Sequence, residues 1–177
     1  MLTVGLIGAG RIGRVHASTI VQDEGSQLVA VADSVDENAK NLAKLYKVNP
    51  RSVDAIFEDN SIEAILIASS TDTHSDFIEK ASKAGKAILC EKPVDLSLAR
   101  AKRCLENTKS NEHLIMMGFN RRFDPNFVAL KKALDGGEIG TAELLSITSF
   151  DPAPPPIDYV KVSGGIFKDM MIHDFDM

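Results

Sequence analysis

The sequence predicts an α/β fold that begins with a doubly wound parallel sheet and continues into a second, smaller domain. Two observations carry this prediction. Short apolar runs alternate with helical segments as far as Gly118, and the alternation is then lost. Near-continuous apolar strands between helices are typical of a parallel sheet that is covered on both faces. We therefore expect one domain at 1–118 and another at 119–177.

Each element of the first domain is predicted from its own stretch of sequence. Short apolar runs predict strands at 2–7, 27–33, 63–69, 86–91 and 113–118. The segments between them predict helices at 11–22, 36–46, 74–85 and 96–110. In the second domain we expect a helix at 125–134, a turn and a longer strand within 136–150, an extended Pro-rich connection at 151–159 and a helix from about residue 165.

Composition and charge narrow the classes of partner. The net charge of −5 argues against nucleic acid or an anionic membrane, which call for a basic surface. No apolar run approaches the roughly 20 residues of a membrane helix, and no basic segment of a signal peptide precedes the first strand. Cys90 and Cys104 fit no metal or redox spacing. We therefore expect a cytoplasmic protein with reduced cysteines and no metal.

A glycine-rich turn joins the first strand to the first helix. In "GLIGAGRIG", Gly8, Gly10 and Gly13 have the G-x-G-x-x-G spacing in the required context, after a strand and at the start of a helix. The first glycine permits the tight turn, the second lets the backbone approach a pyrophosphate, and the third allows close helix–strand packing. The helix N-terminus favours phosphate. The pattern predicts a Rossmann-type dinucleotide site; the alternative is a purely structural Gly-rich turn.

An acidic residue follows the second predicted strand. Asp33 lies 20 residues after Gly13, where a carboxylate can accept hydrogen bonds from the adenosine ribose hydroxyls. The same charge repels a 2′-phosphate, and the next residues, Ser34 and Val35, offer no cation to hold one. The position of Asp33 therefore favours NAD over NADP, unless the acid is incidental.

Two more loops are expected at the same edge of the sheet, because ligands of such folds bind beyond the carboxyl ends of the strands. Glu91, Lys92 and Pro93 follow one predicted strand. Since Pro93 restricts the backbone directly after it, Lys92 is either an aimed functional group or an ordinary solvated charge. The loop 69–74 has hydroxyl groups that can line a cofactor site or cap the next helix.

The last stretch, "GGIFKDMMIHDFDM", holds three Asp and one of the four His of the chain. In a continuous helix, Asp169 and His173 lie at i and i+4 on one face. A carboxylate beside an imidazole holds one tautomer and raises its basicity, which predicts a general base and its orienting partner. The alternatives are a surface Asp–His pair and a metal site, for which the sequence places no third ligand.

Four stretches together resemble the glucose–fructose oxidoreductase/inositol dehydrogenase/rhizopine catabolism family: "GLIGAGRIGRVHA", "ASSTDTHSDFIEKASKAGKAILCEKPVDLS", "GFNRRFDPNF" and "GGIFKDMMIHDFDM". The resemblance covers essentially the whole chain, and the Glu-Lys-Pro motif and the Asp-x-x-x-His-Asp motif are far more specific than the glycine pattern. It implies an NAD-binding Rossmann domain followed by an α+β domain with a large open sheet, which often carries the oligomer interface. Because family members are longer than this chain, the α+β domain is expected to be incomplete.

The resemblance also implies a reaction, reversible hydride transfer between a polyol or sugar hydroxyl carbon and nicotinamide. By the same resemblance His173 takes the hydroxyl proton, Asp169 orients His173, and Lys92 hydrogen-bonds the reacting oxygen. These three residues and Arg122 are expected to bind the substrate. The expected contacts to NAD come from the glycine turn, the second strand and the two loops, and comprise Gly8, Gly10, Arg11, Ile12, Gly13, Asp33, Ser69, Thr71, His74, Glu91 and Lys92.

Three interpretations of function stay open at this point. The first is an NAD-dependent polyol dehydrogenase of the inositol type, which is expected to form a homo-oligomer in its full-length form. The second is another sugar dehydrogenase of the same family. The third is a non-catalytic module that binds NAD through the glycine turn and carries out no chemistry.

Overall fold

The computed structural model describes residues 1–150 and 152–177, with all their side chains except that of residue 113. The described chain divides into two compact units, Met1–Gly118 and Phe119–Met177. No helix among these described residues is both long and apolar enough to cross a membrane.

The first unit is built on one six-stranded parallel sheet. Its strands are β1 (Leu2–Ile7), β2 (Ser26–Ala32), β3 (Asn49–Pro50), β4 (Ala64–Ile67), β5 (Ala87–Cys90) and β6 (Ile115–Met117). They are arranged in the order β3-β2-β1-β4-β5-β6, and every neighbouring pair is parallel. The chain first winds outward from β1 to β3 and then restarts at β4 on the other side of β1, which confirms the predicted doubly wound sheet.

Helices connect the strands of the first unit. They are α1 (Arg11–Gln22), α2 (Asp36–Tyr46), α3 (Val53–Glu58), α4 (Thr71–Lys83) and α5 (Leu98–Thr108), followed by a short 3₁₀ segment at Lys109–Leu114. The predicted bounds of α1 and α2 are confirmed to the residue. The sequence did not predict β3 or α3, because two and six residues are too few to show a hydrophobic period.

Side chains of the inner strands β1, β2, β4 and β5 pack into apolar clusters on the two faces of the sheet. In β4, Ile65 and Ile67 belong to one cluster and Leu66 to the other. Helices α3, α4 and α5 cover the first cluster, and α1 and α2 cover the second. Because both faces are buried, these inner strands are mainly apolar rather than alternately apolar and polar.

A buried lysine lies at the amino-terminal edge of the sheet, opposite the carboxyl ends of the strands. Lys86 precedes β5 and is only 4% exposed, and its Nζ donates to the carbonyls of Asp59 (2.7 Å) and Ile62 (2.8 Å). Buried carbonyls that lose their donor cost about 1–3 kcal/mol. We expect Lys86→Met to lower the free energy of unfolding by about 2 kcal/mol, measured by chemical denaturation.

The exposed Lys83 offers a matched control for this change. Lys83→Met removes the same charge three residues away and is expected to leave the free energy of unfolding within about 0.5 kcal/mol of the wild type. Equal stability of the Lys86→Met and Lys83→Met proteins would show that the two carbonyl contacts contribute nothing.

The second unit is mainly helical. Its elements are a 3₁₀ segment at Asn120–Phe123 and the helices α6 (Pro125–Asp135), α7 (Ile157–Val160), α8 (Ile166–Asp169) and α9 (Ile172–Asp176). The predicted helix at 125–134 is confirmed by α6. It begins with two strong sequence signals, because the carboxylate of Asp124 accepts from the backbone N–H of Asn126 at 2.9 Å and Pro125 occupies the first turn.

Three predictions for the second unit are wrong in whole or in part. Residues 142–150 form no strand, because no segment of the described chain supplies a hydrogen-bonded neighbour. Of the predicted extended connection at 151–159, residue 151 lies outside the described residues, and Ile157–Val160 form a helical turn. The predicted C-terminal helix is divided into α8 and α9, because the N–H of Met171 donates to Ile166 five residues back and widens the turn.

Candidate cofactor and catalytic residues

Three loops of the first unit follow the carboxyl ends of neighbouring strands. Residues 8–10 follow β1, residues 68–70 follow β4, and residues 91–93 follow β5. Because these strands are adjacent and parallel, the loops lie side by side at one edge of the sheet. This edge contains the point where the winding restarts from β3 to β4, and ligands of doubly wound sheets bind at such a point.

Two glycines of the first loop and helix are required by the fold itself. Gly8 has a φ of +103°, and a Cβ added to it would lie 2.3 Å from the carbonyl oxygen of Ala68. A Cβ on Gly13 would lie 1.9 Å from the carbonyl oxygen of Gly8, so α1 packs directly on the turn. Both positions therefore need glycine whether or not a ligand is bound.

Gly10 differs from both. Its φ of −72° and ψ of −164° suit any residue, and a Cβ added there would meet no atom within 4 Å. This open space before the first turn of α1 fits a pyrophosphate, whose oxygens approach the free N–H groups of a helix N-terminus. Arg11 and Ile12 begin the helix directly after it; Arg11 is exposed, and Ile12 packs against the core.

Asp33 is held in place by hydrogen bonds to the glycine turn and to its own loop. Its Oδ2 accepts from the N–H of Ala9 at 2.6 Å, and its Oδ1 accepts from the N–H of Val35 at 2.8 Å. A carboxylate has about four acceptor positions, so it can still accept from a ribose hydroxyl. The contact to Ala9 fixes the carboxylate beside the turn, a role that the spacing of the residues did not indicate.

A pocket of about 390 Å³ lies beside Asp33. Its lining includes two cations, Lys40 and Arg51, which the sequence interpretation missed because only the residues directly after Asp33 were considered. The guanidinium of Arg51 is hydrogen-bonded to the carboxylate of Asp59. Asp59 therefore competes with any phosphate for Arg51, and Asp33 and Asp36 both bring negative charge to the pocket.

The side chain of Glu91 is engaged within the protein. Its Oε1 lies 2.7 Å from Nε2 of His16 on α1. Burial alone raises the pKa of this carboxyl group. The hydrogen bond and charge of His16, together with the backbone N–H and charge of Lys92, outweigh burial, so the pKa lies below its usual value. The pair links α1 to the loop after β5. The sequence interpretation missed it because 75 residues separate the partners.

The other predicted contacts of the first unit lie in or beside the two remaining loops. Ser69 is half-buried and its Oγ lies 2.6 Å from Oγ1 of Thr73, whereas Thr71 begins α4 and is also half-buried. Lys92 is half-buried and precedes Pro93 through a cis peptide bond. His74 is buried, with 1% of its surface exposed, so it presents almost no surface to a cofactor.

The second unit carries Asp169 and His173 on separate helices. The predicted pairing on one continuous helical face is wrong, because the chain is interrupted at Met170 and Met171. Asp169 accepts a hydrogen bond from the hydroxyl of Tyr159 at 2.7 Å. The ring of His173 meets the ring of Phe119 edge-on, with 6.4 Å between centroids. The catalytic roles of Asp169 and His173 stay predictions.

Arg122, a predicted substrate contact, is held by an acid of the same unit. Its Nη2 and Nε donate to the two carboxylate oxygens of Asp176 at 2.6 and 2.8 Å, and its guanidinium lies 5.6 Å from the centroid of the Phe119 ring. The hydrogen bond from Arg122 lowers the pKa of Asp176. A substrate that binds Arg122 therefore has to share it with Asp176.

Comparison with known proteins decides the family. The model of the glucose–fructose oxidoreductase/inositol dehydrogenase/rhizopine catabolism family, described as an oxidoreductase family with an NAD-binding Rossmann fold, matches residues 2–119. The chain belongs to this family. The Rossmann sheet, the glycine turn and Asp33 are therefore parts of an NAD-binding domain.

Individual members of the family match over nearly the whole chain. The inositol 2-dehydrogenase of Rhizobium meliloti (strain 1021) is 51% identical over 173 residues, which are 98% of this chain and 52% of that protein. The solved myo-inositol dehydrogenase of Corynebacterium glutamicum ATCC 13032 is 44% identical, with a TM-score of 0.94. The match covers 99% of this chain and 53% of that protein. The scyllo-inositol dehydrogenase of Lactobacillus casei, solved with NAD(H) and scyllo-inositol, is 30% identical with a TM-score of 0.85; 99% of this chain covers 54% of it. The chain thus spans about half the length of the relatives it matches.

Proposed function

We propose that the chain is the NAD-binding and catalytic portion of a polyol dehydrogenase, with myo-inositol as the favoured substrate. The observation that carries the proposal is the 51% identity to an inositol 2-dehydrogenase over 98% of the chain. The cofactor part is supported by the glycine turn, in which Gly10 leaves open space where a pyrophosphate fits. The family resemblance implies a homo-oligomer for the complete protein, and the reduced cysteines expected from the sequence favour the cytoplasm.

When bound, NAD would supply the hydride acceptor for oxidation of the hydroxyl carbon of the polyol to a ketone carbon. In our proposal His173 takes the hydroxyl proton, so that one proton and one hydride leave the substrate together. In this proposal the negative charge of Asp169, whose carboxylate accepts a hydrogen bond from the hydroxyl of Tyr159, stabilises the protonated imidazole. Lys92 contacts the cofactor and hydrogen-bonds the reacting oxygen, and its charge stabilises the developing alkoxide.

Two measurements in sequence test the proposal. Calorimetric titration with NAD is expected to show binding to the chain. An assay of nicotinamide reduction with myo-inositol, scyllo-inositol and simple sugars then reports turnover, with myo-inositol giving the highest rate. A sugar that is oxidised faster than any inositol would assign the chain to another dehydrogenase of the family, and a chain that binds no NAD would refute the proposal.

One observation favours a second candidate, a protein that binds NAD without turnover. The chain spans about half of its relatives, and several large apolar side chains of the second unit are exposed, including Leu144, Phe150 and Phe175. Exposed apolar surface of this extent is typical of residues that are covered in a larger assembly. NAD binding with no reduction by any inositol would support this candidate for the chain by itself.

The role of Asp33 is tested by its replacement with alanine. Asp33→Ala removes the acceptor for the ribose hydroxyls and the charge that repels a 2′-phosphate, so NAD is expected to bind about tenfold more weakly and the preference for NAD over NADP to narrow. The two dissociation constants are measured by calorimetry. Asp36→Ala, which removes an acid from the same pocket, is the control. Unchanged affinities for both cofactors in Asp33→Ala would contradict the ribose contact.

A further inference from the structure

His74 is a buried residue whose place in the structure differs from the role predicted for it. It lies in the first turn of α4, is 1% exposed and was expected to contact the cofactor. Instead, its two ring nitrogens face backbone carbonyls of the two loops beside the predicted cofactor site. Nδ1 is 2.8 Å from the carbonyl oxygen of Pro93, and Nε2 is 3.1 Å from that of Ser69.

The contact to Pro93 decides which nitrogen carries the proton. A carbonyl oxygen only accepts hydrogen bonds, so a ring nitrogen that bonds it must be protonated; an imidazolium bonds both carbonyls, whereas a neutral imidazole has one N–H and bonds only one of them. The Nδ1 contact is the shorter of the two and is fully buried, whereas the Nε2 contact is partly buried. Because an unpaired polar group costs most where it is fully buried, the N–H belongs on Nδ1.

The neighbouring residue of α4 makes an equivalent contact one step further along the loop. The hydroxyl of Ser75 donates to the carbonyl oxygen of Val94 at 3.1 Å. Two consecutive side chains of α4 therefore bind two consecutive carbonyls, those of Pro93 and Val94, directly after Lys92. From the other side, Sγ of Cys104 lies 3.6 Å from the carbonyl oxygen of Ser75, so α5 contacts the same turn of α4.

We propose that His74 is a positioning residue for Lys92: its Nδ1–H binds the carbonyl of Pro93 and thereby fixes the loop that presents Lys92 to the cofactor. His74 acts through this loop and does not touch NAD. The part of the inference that concerns Lys92 rests on the function proposed above, in which Lys92 contacts the cofactor. The part that concerns the proton on Nδ1 does not depend on that function.

A pair of substitutions separates the hydrogen bond from the volume of the ring. His74→Leu removes both nitrogens, and it is expected to weaken NAD binding about tenfold because the loop loses its anchor. The side-chain amide of asparagine has a donor close to the position of Nδ1, so His74→Asn is expected to recover most of the affinity. Recovery by His74→Gln rather than His74→Asn would point to the Ser69 contact and overturn the proposal.

Two controls distinguish positioning from general loss of stability. Lys86→Met destabilises the opposite edge of the sheet and is expected to leave NAD affinity unchanged. In a double-mutant cycle, His74→Leu is expected to weaken NAD binding less than twofold once Lys92 has been replaced by methionine, because the two residues act on one contact. Full additivity of His74→Leu and Lys92→Met would contradict an action through Lys92.

The proton itself is observed by nitrogen NMR of the wild-type chain labelled at histidine. We expect the His74 ring to carry its proton on Nδ1 and to exchange it slowly with water, since the group is buried. A ring protonated only at Nε2 would overturn the proposal even if every His74 variant failed to fold. If the wild type binds no NAD, the proposed cofactor function fails, whereas a proton found on Nδ1 would still establish the bond to Pro93.

Discussion

Replacing Gly13 with alanine is expected to lower the free energy of unfolding by about 3 kcal/mol and to weaken NAD binding together with it. The added methyl group would lie 1.9 Å from the carbonyl oxygen of Gly8, far inside van der Waals contact. The neighbour is backbone and not the end of a flexible side chain, so α1 itself has to move away from β1. Since residues 8–13 also form the phosphate turn, the same displacement distorts the cofactor site.

Thermal and chemical unfolding measure the effect of Gly13→Ala, with a shift of about 2–4 °C in Tm for each kcal/mol. The control is Gly10→Thr, which adds a side chain to the same loop; its Cβ would meet no atom within 4 Å outside the adjacent residues of the chain. If Gly13→Ala were as stable as the control, the close approach of α1 to Gly8 would not be a feature of the folded protein.

Much of the first unit could be predicted because its signals are local. The bounds of α1 and α2 follow from apolar spacing within single segments, and the alternation of strands and helices indicates the parallel sheet. The glycine turn was predictable for the same reason, since its three glycines act within six residues of chain. The order of strand, glycine turn and helix was the strongest signal for predicting this site.

The partners of the site residues could not be predicted, because they are distant in sequence. Glu91 binds His16 across 75 residues, and His74 binds Pro93 across 19. Both residues were expected to contact the cofactor because they lie in motifs near it. Their engagement within the protein shows that a residue in a binding motif can serve to position the loop that carries the contact.

The second unit was harder to predict because its elements depend on more than their own sequence. The apolar run at 142–150 has the composition of a strand, but a strand needs hydrogen-bonded neighbours, and the described chain provides none. In contrast, α6 begins at Asp124 and Pro125, which cap a helix by themselves, and it was predicted correctly. A helix with its own capping residues was therefore predictable, whereas a strand that depends on a distant partner was not.

Replacing Gly10 with threonine is expected to separate cofactor binding from folding. Gly10 is the N-cap of α1, where threonine and glycine are similarly tolerated, so the free energy of unfolding should change by less than about 1 kcal/mol. The affinity for NAD should fall by roughly 10- to 100-fold, because the new side chain occupies the space through which phosphate oxygens reach the N–H groups of α1. Calorimetry with NAD and chemical denaturation measure the two quantities on one preparation.

The two effects separate because neither the backbone angles nor the neighbours of Gly10 require a glycine there. Each of the other glycines either has a left-handed φ or would bring a Cβ within 3.4 Å of another atom, and all of them lie in the described residues. Since no contact within the folded protein requires glycine at this position, we attribute it to a bound ligand. The helix N-terminus beside Gly10 favours an anion as that ligand. Wild-type affinity for NAD in a folded Gly10→Thr protein would place the pyrophosphate elsewhere and leave Gly10 without an explanation.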